Sequence, residues 1–310
     1  MTDSVYKVLA HEAQGFTLFA HGKFSAAHQE LKRSISLCED SKAAAYLQLS
    51  AQDPRVHVRL YDGMALHFLG YSDQALRICA EARAYGDASH HPYSEAMART
   101  ITLRVHQLRG ETAVVASQAG EAIALCEERE FAHYLALSLV LRGWANATQG
   151  EFEKGIAELQ EGLEKIRAIA AFLFEPYALS LLADACIQNE RYKQAVEFLE
   201  QTQPGHHGEL DIERFYSSEI YRLLGEAYFR SGEELSQAER YLLKALNVAE
   251  KQESKSLELR VLLSLCDLGE RGQSAGKYHA RLGHIYGSFT EGFGTADLVK
   301  AKTILDRVIA

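Results

Sequence analysis

Glycine, or a residue standing in for it, punctuates this chain at a nearly constant interval. Gly22, Gly70, Gly110, Gly150, Glu190, Gly232 and Gly272 each lie between one apolar-periodic segment and the next, at intervals of 48, 40, 40, 40, 42 and 40 residues. Every interval holds two amphipathic helices, so the chain reads as about seven helical hairpins. A hairpin of this kind cannot bury its apolar faces alone and has to lie against a neighbour. A local period thereby becomes a global expectation: the 310 residues form one continuous stack, with no linker.

The stretch from Tyr221 to Ala245 shows what is repeated. Tyr221, Leu224, Gly225 and Tyr228 fall at the spacing W-x2-L-G-x2-Y, with Tyr in place of Trp, and Ala238, Leu242 and Ala245 supply small, large and small positions on a second helix. This is the tetratricopeptide pattern. Gly225 and Ala238 are small where two antiparallel helices cross, so that Tyr221, Tyr228 and Leu242 can close over the contact. A period near 40 exceeds the usual value of about 34, so the helices should be a turn or so longer. The expected fold is all-α: a right-handed solenoid of about seven tetratricopeptide-like hairpins, at about 4–38, 54–85, 92–129, 131–170, 175–202, 211–251 and 255–286, with a capping helix over 295–309. Residues 39–52 read as an irregular or weakly helical connection. Asp53 then caps a helix that has Pro54 in its first position. Gln203-Pro204-Gly205-His206-His207-Gly208 is the clearest exposed loop.

Composition narrows the function. A formal charge of -9 and a pI near 5.8 argue against non-specific nucleic-acid binding, since phosphate neutralisation needs a basic face, so nucleic acid is not an expected partner. The N-terminus lacks a basic segment followed by an apolar one, and no apolar run of about 18 residues occurs, so no membrane span is expected. Cys38, Cys79, Cys126, Cys186 and Cys266 are far apart and odd in number, which fits buried thiols in a reducing, cytoplasmic compartment.

Several motifs share an order that points to one family. They are Gln52-Asp53-Pro54, Gly70-Tyr71-Ser72-Asp73-Gln74-Ala75-Leu76, Leu141-Arg142-Gly143-Trp144-Ala145, Lys255-Ser256-Leu257-Glu258-Leu259-Arg260, Ile285-Tyr286-Gly287 and Phe289-Thr290-Glu291-Gly292-Phe293. Together they resemble the C-terminal tetratricopeptide region of bacterial multidomain signalling proteins with an adenylate-cyclase-like or regulatory domain and an ATPase domain. The resemblance runs from about Ala10 to the end of the chain. It implies a sensing or docking module, with a signalling ATPase or cyclase-like protein as a partner. The sequence opens on the first repeat helix, which reads either as an excised region or as a free-standing relative, and none of the parent proteins' catalytic residues is expected within it.

In a tetratricopeptide superhelix the first helices of successive hairpins line the concave face. By repeat position, Phe16, Phe19, His57, Tyr61, Met64, His67, Phe68, Arg104, Gln107, Trp144, Tyr177, Asp184, Arg222, Glu226 and Arg230 should point inward. Aromatic surface with a few convergent polar groups is what peptide and small-ligand grooves present, and the segment from His57 to Trp144 is the expected main surface. The competing reading is that these side chains simply pack between long helices. The Lys and Asn clamp of chaperone-binding repeats is not expected, since Glu12 with Phe16, Leu60 with Met64, and Val140 with Trp144 occupy its places.

Catalytic and metal patterns are thin, and no catalytic residue, metal or cofactor is expected. Gly272 to Lys277 is one residue too short for a phosphate loop and has Tyr278 where Ser or Thr would hold magnesium. His11-Glu12 has Gly15 where zinc would need the second histidine, and His90-His91 and His206-His207 sit in loops. Ser274 to Lys277 spells SxxK, which arises often by chance. The leading expectation is a non-enzymatic scaffold that binds a protein or peptide in its concave face. A small-ligand or signalling-peptide sensor comes second, and an enzyme using His57, His67 and Asp184 comes third.

Overall fold

The computed structural model describes residues 2–202, 215–232, 235–271 and 275–309, and every regular element among them is helical. Helices α1 (Thr2–Ala20) and α2 (Phe24–Leu37) form the first hairpin. A 3-10 turn at Asp40–Lys42 and the short α3 (Ala43–Leu49) follow. Five more pairs succeed it: α4 (Pro54–Phe68) with α5 (Ser72–Ala88), α6 (Pro92–Leu108) with α7 (Thr112–Glu128), α8 (Ala132–Thr148) with α9 (Phe152–Ala168), α10 (Glu175–Gln188) with α11 (Tyr192–Glu200), and α12 (Ser217–Ser231) with α13 (Leu235–Lys251). The last pair is α14 (Lys255–Arg271) with α15 (Ala275–Gly287), and α16 (Ala296–Ile309) caps the stack. The chain is an all-α, right-handed solenoid of tetratricopeptide-like hairpins. The segment 39–52 is more helical than its sequence indicates, because Tyr46 is wholly buried and packs α3 against Val5 and Val8.

The period of the turns has one chemical origin. At Gly70 the amide donates to the carbonyl of His67 at 3.0 Å, and the next amide, of Tyr71, reaches back to Leu66 at 2.8 Å. This Schellman pairing satisfies two helix-end carbonyls and needs a left-handed residue. It recurs with positive φ at Gly22, Gly110, Gly150 and Glu190, and between hairpins at Glu130, Ala170 and Glu253. Helix starts are less uniform. Asp53 caps α4 by accepting from the Arg55 amide at 2.9 Å, with Pro54 in the first position. Gly272 and the 203–208 loop lie outside the described residues.

Small residues set the distance between paired helices. A Cβ placed on Gly225 would sit 2.6 Å from Leu242 Cγ, while Tyr241 stacks on Tyr228 at 5.7 Å and on Tyr221 at 6.4 Å. The tightest crossing is α8 on α9, where a Cβ on Gly143 would meet the backbone oxygen of Gly155 at 2.7 Å.

The stack also closes on itself. All fifteen residues of α4 are buried, whereas α7 buries only the stripe Val115, Ala119, Ala122, Ile123 and Cys126. An inner helix can lose all its exposure only if something covers its concave side. Here the C-terminal hairpin covers its end at His67 and Phe68, while α1 lies over His57 and Tyr61. Ser254 Oγ donates to the carbonyl of Phe68 at 2.9 Å and Ser256 Oγ to that of His67 at 2.5 Å. Arg260 donates to the carbonyl of Leu108 at 3.0 Å, and the Ala296 amide to that of Arg109 at 3.1 Å. Gly110 makes room for this, since a Cβ there would lie 2.5 Å from Ala296 Cβ.

Two glycines separate packing from propensity. Gly143→Ala should destabilise by about 1–3 kcal/mol, because the two nearest atoms it meets are backbone and cannot give way. Gly120→Ala, exposed on α7 with nothing within 4 Å of the added methyl, should stabilise by about 0.5–1 kcal/mol. Urea denaturation of both variants checks the pair.

Candidate functional site

One position per repeat supplies the inner wall. Phe16, Met64, Arg104, Trp144 and Asp184 hold it in the first five hairpins, each directly after the residue at the crossing, and Arg222 and Arg260, one turn earlier on their helices, take the same face in the last two, at spacings of 48, 40, 40, 40, 38 and 38 residues. Along this ladder the wall changes from apolar to charged. Six of its seven rungs are legible by repeat position. Arg260 is the seventh, and its signal is the register of Arg222 and Glu226 carried one hairpin further to Arg260 and Ser264.

The middle of the wall is filled. Phe215 donates its amide to the carbonyl of Ala20 at 3.1 Å and lays its ring 5.3 Å from Phe19, while Tyr216 meets Tyr177 at 5.3 Å. Tyr177 donates to Gln107 Oε1 at 2.9 Å. Arg104, 2% exposed, lies 4.0 Å over the Tyr177 ring and 5.1 Å from Phe215, and no carboxylate pairs with it among the described residues. Aromatic faces supply the partial negative charge that steadies it. Phe19, Arg104 and Tyr177 therefore belong to this plug, and Met64 and Phe68 are buried in the same core.

On one side of the plug is a chamber of about 480 Å³. Phe16, His57 and Tyr61 form one flank, and Tyr93, His133, Tyr134 and Phe174 the other. His57 Nδ1 stands 2.8 Å from Glu12 Oε1, close enough to pair as ions but not aligned for a hydrogen bond. Burial pushes the His133 imidazole down and the Tyr61 phenol up to about 12, so both are neutral at ordinary pH. Tyr93, His133, Tyr134 and Phe174 escape sequence reasoning because they sit near helix starts, away from the repeat's central positions.

On the other side is a chamber of about 230 Å³ that gathers Gln107, Trp144, Asp184, Arg222, Glu226 and Arg230. Glu219, Arg260, Asp297 and Lys300 complete its wall. Glu219 lies 2.8 Å from Arg222 and 3.5 Å from Arg260; burial works to raise its titration, yet the two guanidiniums hold it down at about 2. Glu226 sits between Arg222 at 3.5 Å and Arg230 at 3.2 Å, and is likewise held low against its burial. Arg260 pairs with Asp297 at 2.8 Å, and Lys300 with Asp267 at 2.8 Å. Asp184 is the exception. It accepts from Gln188 Nε2 at 2.8 Å but has no cation in ion-pairing range among the described residues, and burial, only partly opposed by Arg222, raises its titration.

The residues of the enzyme reading are not brought together. His57 is in the first chamber, Asp184 in the second, and His67 at the closure. There its Nδ1 lies 2.9 Å from Ser72 Oγ, and burial beside Arg260 and Arg109 pushes its titration down to about 3. His11 pairs with Glu30 at 2.7 Å and His91 with Ser94 at 2.9 Å. Among the described residues no three metal-ligating side chains gather, and no helix is long and apolar enough to cross a membrane.

No protein-family model and no curated protein sequence matches the chain. Solved structures do match its fold. A Rap protein complexed with competence and sporulation factor aligns with a TM-score of 0.66 at 12% identity, over 92% of this chain and 76% of that one. The apo form of RapI aligns with a TM-score of 0.54 at 11% identity, over 97% and 99%. Identity this low establishes a shared helical-repeat fold alone.

Asp184 sets a pH dependence. Its raised titration means that the folded chain holds this proton more tightly than the unfolded chain. The group's contribution to stability therefore falls as pH rises from the ordinary aspartate range through the raised value. Asp184→Asn should raise the Tm at pH 7. The gain should vanish below about pH 4, where both states are protonated. Melting curves of the two proteins across pH check the sign.

Proposed function

We propose that this chain is a non-enzymatic binding module that takes a peptide or protein segment on its inner wall, at the second chamber. The observation that carries the reading is the uncompensated Asp184 carboxylate in a wall whose other carboxylates are all paired. A half-buried carboxylate with no cation in pairing range is left without its best partner, and a cationic group of a ligand would supply it. Gln107, Gln188 and Ser264 offer hydrogen bonds to a peptide backbone around it. The solved neighbour captured with competence and sporulation factor supports a binding role for this fold. The motif resemblance supports a place in bacterial signalling with an ATPase or cyclase-like protein as partner. The acidic charge and dispersed thiols support a cytoplasmic setting.

The test uses a synthetic pool of hexapeptides that each carry one Lys or Arg, beside a matched pool with citrulline or norleucine in those positions. Trp144 is the sole tryptophan and lines the chamber, so its fluorescence reports occupancy. The cationic pool should give a saturable change, the neutral pool should bind about tenfold more weakly, and Asp184→Asn should abolish the difference. Equal binding of both pools by the wild type would sink the reading.

The first chamber favours a second reading, a small-ligand sensor, because its volume and aromatic flanks match those of small-molecule pockets. Saturable binding of a small molecule with a raised Tm, lost in Tyr61→Ala and kept in Asp184→Asn, selects it.

A further inference from the structure

The second chamber has walls from two parts of the chain that meet only through the closure. Gln107 and Gly110 belong to the third hairpin, whereas Arg260, Ser264 and Asp297 belong to the C-terminal segment. Arg260 stands in both structures at once. It lines the chamber, pairs with Glu219 and Asp297, and holds the carbonyl at the end of α6.

A clasp outside the chamber fastens the same two parts. Glu291 lies in the loop before α16, and its Oε1 accepts from the amides of Asp73 and Gln74 at 2.9 Å each, at the N-terminus of α5. Its Oε2 accepts from Gln74 Nε2 at 3.0 Å. In return Asp73 Oδ2 accepts from the Gly292 amide at 2.9 Å, and Asp73 Oδ1 pairs with Arg109 at 3.2 Å. A carboxylate from one end of the chain thus caps a helix near the other, where orphan amides and the helix dipole favour it.

We infer that the second chamber is a site assembled by this clasp, so that ligand occupancy and docking of the C-terminal segment are thermodynamically linked. The inference rests on the reading of the chamber as a ligand site and adds its regulation. A ligand that touches both walls binds the docked form in preference to any undocked one and must shift the balance toward docking. By reciprocity, weakening the clasp lowers affinity although Glu291 lines no part of the chamber.

Hydrogen exchange reads docking directly, because the amides of Asp73, Gln74, Gly292 and Ala296 are donors in these contacts. Exchange over residues 70–76 and 289–297 is followed in the wild type, Glu291→Ala and Asp73→Asn, with and without the cationic hexapeptide pool. Circular dichroism verifies that each variant is folded, and either folded variant suffices. Both segments should exchange at least about tenfold faster in the variants, which should bind the pool about fivefold or more weakly, and the pool should slow both segments in the wild type. Faster exchange with unchanged pool binding overturns the linkage and leaves the site reading standing. Unchanged exchange in a folded variant, or a pool that binds the wild type without slowing either segment, overturns it as well. A wild type that does not bind the pool overturns both readings.

Discussion

Helix ends leave carbonyl groups without partners, and how this chain supplies them determines its shape. Most hairpin turns do so locally, through a left-handed residue and two backward hydrogen bonds. At the ends of α4 and α6 remote residues add to the local pairing. The carbonyls of His67, Phe68, Leu108 and Arg109 accept from Ser256, Ser254, Arg260 and the Ala296 amide. An open solenoid would give these groups to water. Here they hold the last hairpin against the second and third, and the inner helices lose their exposure.

Closure changes the electrostatics of the inner wall. Charges facing an open groove would be screened by solvent and would gain little from pairing. Enclosed between two parts of the chain, Glu219, Arg222, Glu226 and Arg260 have to neutralise one another, and the strongly lowered titration of Glu219 reflects that density of cations. Arg104 follows a different solution, with three rings in place of a carboxylate. Aromatic rings with one His57–Glu12 pair thus line one chamber and a mostly ionic network lines the other, with an aromatic plug between them.

The repeat was legible in the sequence because its turns are local events. Four intervals of nearly equal length mark residues that take positive φ, and a glutamate at position 190 adopts the same conformation as the glycines before it. The cap at Asp53 and the crossing at Gly225 follow from neighbouring residues in the same way. What lay beyond reach was curvature. Repeat position says that Met64, Arg104 and Tyr177 face inward; whether they then face solvent or each other depends on how far seven hairpins turn, which accumulates from small angles at every interface. Phe215 and Tyr216, which plug the wall, follow no repeat register and carry no signal. Arg260 was within reach, since its register is that of Arg222, but α14 lacks the glycine that marks the helix before it.

The motifs behind the family resemblance acquire a physical meaning from the same contact. The segments 70–76, 255–260 and 289–293 are far apart in sequence, yet Asp73, Ser256, Arg260, Glu291 and Gly292 all meet at the closure, and Asp53 and Gly143 fix a helix start and a crossing. These are positions that determine shape. The positions that line the second chamber are largely different ones: Asp184, Arg222, Glu226 and Glu219 lie in none of those motifs. A chain sharing the motifs should therefore share the closed ring while remaining free to vary what the ring encloses. Arg260 is the one charged residue common to both sets, so the ionic pairing inside the chamber and the contact at the end of α6 share one side chain.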